Sequence, residues 1–153
     1  MRPLREILAI AGLAFQIAAV GIFWNALAAR VPMHYGAAGT PDSYGDKSSV
    51  VVLLAVTAML YGLLTVLSFF PQTFNYPVAV TDANRGRLQA IGVALLGWLK
   101  VELVWMFAYI NWVTLRVGLG LSTGLGWYFL PVVLVATGAT IAAAIVQMRA
   151  TGK

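Results

Sequence analysis

Four long apolar runs constrain this chain more than any other feature. They occupy residues 7–29, 49–70, 88–112 and 127–148. A helix rises about 1.5 Å per residue, so about 20 residues cross the roughly 30 Å of a bilayer's hydrocarbon, and each run is long enough. No water reaches the backbone there, so the N–H and C=O groups must be satisfied within the segment, and the runs are predicted to be helices. The expected fold is an all-α, polytopic four-transmembrane-helix bundle, with residues 1–153 as a single membrane domain. Composition agrees: 61% of residues are apolar and 10% charged, against about 25% charged in soluble domains. The first run is longer than a signal-peptide core and is followed by three more, so it reads as a retained span. With no cysteine in the sequence, disulfides and thiolate chemistry are excluded.

The formal charge of +5 reads as a topology signal rather than as a nucleic-acid footprint. Arg2, Arg5, Arg85, Arg87, Arg149 and Lys153 flank the runs on one side, whereas Arg30, Lys47 and Arg116 lie on the other. Lys and Arg in short loops accumulate on the cytoplasmic face. Both termini are therefore expected inside a cytoplasmic (inner) membrane, and the segment 30–48 outside it. Membrane lipids are the expected partners, with attraction to anionic headgroups as a secondary effect, and no nucleic acid is expected.

Several spans carry polar groups. Gln16 in the first is placed for an interhelical hydrogen bond. In the second, Thr57, Tyr61, Thr65 and Ser68 recur at spacings that align them on one face, either bonding their own preceding turns or lining a wet surface. In the third, Gln89, Lys100 and Asn111 recur every 11 residues, which returns to nearly the same helix face. Counted from Leu88, Lys100 lies about 18 Å along, near mid-membrane. A charge there faces a bundle interior, a cavity or a partner charge, and marks a functional suspect. Glu102, Trp98, Trp105 and Tyr109 form a second stripe, expected to serve assembly, a homo-oligomer contact or an ion pair. Lys100 and Glu102 are two positions apart and point away from each other, so each needs a partner elsewhere. Thr81 is predicted to cap the third helix. Pro131 suits the first turn of the fourth, and Gly138, Ala139, Ala142 and Ala143 suit close helix packing.

The connection between the first two runs reads VPMHYGAAGTPDSYGDK at 31–47 and holds the only histidine. Its glycines and Pro41 specify turns rather than a slack tether, so 30–48 is predicted to be an ordered outer loop. These turns are expected to bring His34, Asp42 and Lys47 together. His34, Asp42 and Asp46 have the chemistry of metal ligands without a recognised ligand spacing, so metal binding stays open, and no cofactor is expected. No nucleophile triad, carboxylate pair or phosphate loop is evident, which argues against an enzyme.

The run 31–47, the motif Phe74-Asn75-Tyr76-Pro77 with Thr81-Asp82-Ala83-Asn84-Arg85, and Trp98-Leu99-Lys100 together resemble the N-terminal membrane domain of bacterial SdpI-like immunity proteins. The resemblance adds Asn75 and Asn84 to His34, Asp42, Lys47 and Lys100 as a ligand-binding constellation. It implies a non-enzymatic binding, immunity or signalling protein that meets a peptide or protein ligand at the outer face. Two alternatives stay open: a small transporter or lipid- and ion-handling protein built around Lys100, and a structural subunit of a membrane complex.

Overall fold

The computed structural model describes residues 2–152, Arg2 by its backbone alone; Lys153, counted in the charge bias, lies outside the described residues. Four helices follow one another: α1 (Arg2–Phe23), α2 (Ser49–Leu67), α3 (Arg85–Gly118) and α4 (Phe129–Ala150). All four are long and apolar enough to cross a membrane. Their ends differ from the hydropathy reading because polar residues join the helices. α1 takes in Arg2, Arg5 and Glu6, and α3 extends from Arg85 through Arg116 to Gly118. At 34 residues, α3 is about 51 Å long and outruns the hydrocarbon at its ends.

α3 is the axis of the bundle. α1, α2 and α4 all pack on it, α1 and α2 also touch each other, and α4 rests chiefly on α3. One apolar cluster joins Ala19, Val20, Leu27, Val31, Val50 and Leu115; a second joins Ala9, Val101 and Val104, with Leu13 and Tyr61 against it. Gly12 lies directly against Val104, so the absent side chain lets α1 and α3 approach closely. Pro131 falls in the first turn of α4, where helix amides have no intrahelical acceptor.

The ordered loop between α1 and α2 contains an antiparallel β-hairpin, β1 (Arg30–Tyr35) and β2 (Pro41–Asp46). Arg30 pairs with Asp46 at its base and Tyr35 with Pro41 near its tip, with an irregularity around Met33. Val31 is fully buried against Leu27 and Gly118, and the Tyr35 hydroxyl lies 2.9 Å from that of Thr114. The hairpin is thus seated on the end of α3.

Two local expectations are corrected. Thr81 is not the cap of the third helix; Asn84 precedes Arg85, and its Oδ1 accepts the Thr81 N–H at 2.8 Å while its Nδ2 donates to Ala79 O at 3.0 Å. Asn84 closes its own turn, which moves the helix start downstream. The small residues Gly138, Ala139, Ala142 and Ala143 are exposed, and α4 buries Ala144 and Met148 instead. Along the stripe around Glu102, Trp98 and Trp105 contact α1, where the Trp105 indole donates to Leu8 O at 3.0 Å, and Glu102 and Tyr109 contact Thr140 and Tyr128.

Candidate functional site

Lys100 is 2% exposed, and its ammonium lies 2.6 and 2.8 Å from the two carboxylate oxygens of Glu6 and 3.0 Å from Thr65 Oγ1. It also sits 4.7 Å from the Tyr61 ring centroid, while the Tyr61 hydroxyl donates to Glu6 at 3.1 Å. Glu6 stands about one turn into α1, so Lys100 lies toward the end of the bundle where α1 begins, lower than counting from Leu88 placed it. Just below, the buried Arg5 donates to Ala94 O at 2.9 Å and lies over Trp98. The hydroxyl stripe of α2 bonds its own preceding turns and also meets polar groups of the neighbouring helices. Thr57 and Thr65 donate to carbonyls in their own helix at 2.8 and 2.7 Å, and they face Gln16 and Lys100 respectively. Asn111, on the Lys100 face, reaches Val50 O at 3.2 Å.

At the hairpin end, His34 Nδ1 and Asp42 Oδ1 are 2.6 Å apart, on side chains 70% and 51% exposed. An exposed pair of this kind adds little stability; its effect is to fix the two side chains at the tip. Behind them lies a cavity of about 410 Å³ whose walls include Met33, His34, Ser49, Leu53, Phe107 and Leu125. The Ser49 hydroxyl is buried there without a hydrogen-bond partner among the described residues. Burial pushes the Tyr35 phenol up; the Thr114 hydrogen bond opposes this and Tyr44 adds to it.

The constellation read from the sequence occupies separate places. His34 and Asp42 meet, but Lys47 lies at the opposite end of β2, its ammonium 4.7 Å from the Trp24 ring centroid. A strand of this length puts it about 15 Å from the tip. Asp46 is also at the base, where it accepts the Ser48 N–H at 2.8 Å, so it does not join His34 and Asp42. Among the described residues, no three His, Cys, Asp or Glu side chains are placed to hold a metal. Asn75 is exposed and Asn84 closes a turn, both in the connection before α3. α2 separates the levels, since Ser49 lies at the hairpin cavity and Thr65 at Lys100; that interval is about 24 Å of helix. Sequence reasoning missed Glu6 because the first span was begun at Ile7. The available signal was that an intramembrane ammonium needs a counter-ion and few acidic residues lie near a helix.

The later part of α1 from residue 11, the hairpin and α2 as far as residue 60 coincide with the segment that comparison with known families recognises. Residues 11–60 match DUF1648, a domain of unknown function. DUF1648 is associated with SdpI-like proteins, so the resemblance read from 31–47 holds over this segment. The DUF1648 match contains Gln16, His34, Asp42, Lys47 and Thr57; Asn75, Asn84, Lys100 and Glu102 lie beyond it. No curated protein and no solved structure matches the chain.

Proposed function

We propose that this membrane protein is a non-enzymatic binding module, of the immunity or signalling kind, that receives an amphipathic peptide at the hairpin end. The observation that carries the reading is the 410 Å³ cavity between hairpin, α2 and α3, with the His34–Asp42 pair at its edge and the unpartnered Ser49 hydroxyl in its wall. Ligand sites are typically concave, largely apolar volumes of about 300–1,000 Å³ with a few placed polar groups. An apolar side chain of the peptide fills the cavity, and a polar or basic neighbour meets Asp42. The transporter alternative is less favoured, because the Lys100 charge already faces Glu6 and Thr65 and little of it is left to attract a passing anion.

The test is survival of peptide-toxin-sensitive cells that express the inserted chain, challenged with a panel of secreted amphipathic peptides. Protection is expected against at least one peptide, lost in Leu53→Trp, which fills the cavity, and weakened in Asp42→Asn. Equal killing with and without the inserted protein across the panel overturns the reading.

A further inference from the structure

Because α4 rests chiefly on α3, a second and larger opening runs between α2 and α4 with α3 as its floor. It encloses about 890 Å³, and its walls are Leu64 of α2, Leu99, Leu103 and Met106 of α3, and Val133 and Thr137 of α4. One charged side chain, Glu102, interrupts this apolar lining. Glu102 Oε1 accepts the Thr140 hydroxyl, whereas Oε2 is buried without a hydrogen-bond partner among the described residues. A carboxylate oxygen withdrawn from water and left without a donor is costly, and a cation or hydrogen-bond donor at the group removes that cost. The nearby cations are engaged elsewhere, Lys100 with Glu6 and Arg5 with the Ala94 carbonyl and the Trp98 ring. Tyr109, stacked on Phe129 with centroids 5.4 Å apart, adds an aromatic wall toward the hairpin end, and such faces attract ammonium groups.

We propose that this groove binds a lipophilic amine drawn from the bilayer, with the ammonium against the Glu102 carboxylate and the alkyl body between α2 and α4. The volume suits a drug-sized or single-chain amphiphile. One anion in an apolar cleft selects a cation over a neutral molecule of the same length, since the neutral molecule leaves the carboxylate unpaired. The two openings share Phe129 as a wall, but Glu102 lines only this groove, and the site does not depend on the function proposed for the hairpin cavity.

The experiment uses the full chain in nanodiscs of neutral phosphatidylcholine, labelled with a photoreactive dodecylamine and mapped by mass spectrometry. Saturable labelling is expected on α3 and α4, competed by dodecylamine and at least tenfold less well by dodecanol. Glu102→Gln is expected to weaken labelling at least tenfold. Ala136→Trp, which fills the groove from an exposed position and keeps the carboxylate, is expected to do the same, and His34→Ala to label as wild type. If Glu102→Gln does not fold, Ala136→Trp decides. Unchanged labelling in the folded groove variants, equal competition by dodecanol, or an unlabelled groove covered by a second copy of the chain would each overturn the proposal.

Discussion

Glu6 and Lys100 are unequal partners. The Lys100 side chain is 2% exposed and that of Glu6 is 41% exposed, so the two halves of the pair respond differently to loss of the other. In Glu6→Gln the ammonium stays buried beside Thr65 and the Tyr61 ring without a full counter-charge, and a loss of about 3 kcal/mol is expected. In Lys100→Met the carboxylate keeps the Tyr61 hydroxyl and partial access to water, so about 1 kcal/mol is expected. The double variant should recover most of the larger loss, because a buried pair replaced by neutral side chains is often nearly neutral. Reversible unfolding of the three variants in mixed micelles checks the order, and a costlier Lys100→Met contradicts it. The need for a partner was legible in the sequence, because no arrangement within α3 can neutralise Lys100. The partner's identity was not, because the depth of Lys100 depends on where α1 and α3 begin, and helix ends rich in Arg and Glu carry no hydropathy signal.

Four spans followed directly from hydropathy, whereas the hairpin did not, and the reason lies in its sequence. Arg30–Tyr35 contains Pro32, and Pro41–Asp46 contains a proline, a glycine and two aspartates, all poor strand formers. The strands pair because tertiary contacts hold them. Leu125 N–H donates to Gly39 O at 2.7 Å, and Gly39, with φ of +78°, sits so close to Gly126 that a side chain there would collide with its backbone. Gly39→Ala meets both a left-handed backbone and that collision, and a destabilisation of the hairpin by about 1–2 kcal/mol is expected. Hydrogen exchange at the Leu125 amide should rise about tenfold in this variant, and unchanged protection would show that the contact does not hold the tip. The base of the hairpin has its own pH dependence. The Ser48 backbone N–H, then the Ser48 side chain, hold the Asp46 carboxyl below its usual 3.8, against a smaller opposing effect of burial, with Lys47 adding a further lowering. A carboxyl lowered in the folded state contributes stability that is present above pH 3.8 and disappears as pH falls through the lower folded value. Acid titration of hairpin amide shifts in wild type and Asp46→Asn should therefore differ at neutral pH and converge only as pH falls below 3.8 through the lowered folded value.

On the scale of the whole molecule, the alternating helices place the hairpin and the α3–α4 turn at one end, where Gly39 meets Leu125 and Gly126. The start of α1, the connection before α3 and the end of α4 gather at the other, where Gly152 meets Val78 and Arg5 meets Ala94. The basic residues follow this division. Arg5, Arg85, Arg87 and Arg149 lie at the end that carries the termini, against Arg30, Lys47 and Arg116 at the hairpin end. The difference is small in number, yet it is the Lys and Arg content of short flanks that orients a bundle. The prediction is that the termini face the cytoplasm and the hairpin faces outward, as the proposed binding function requires. The absence of cysteine makes the test direct. Ser43→Cys on the exposed strand β2 and Gly86→Cys at the exposed start of α3, where nothing crowds an added side chain, each supply one thiol. A membrane-impermeant maleimide applied to intact cells should label Ser43→Cys at once and Gly86→Cys only after permeabilisation. The reverse pattern would turn the hairpin cavity toward the cytoplasm, where a secreted peptide does not reach it, and the proposed function would fall with the orientation.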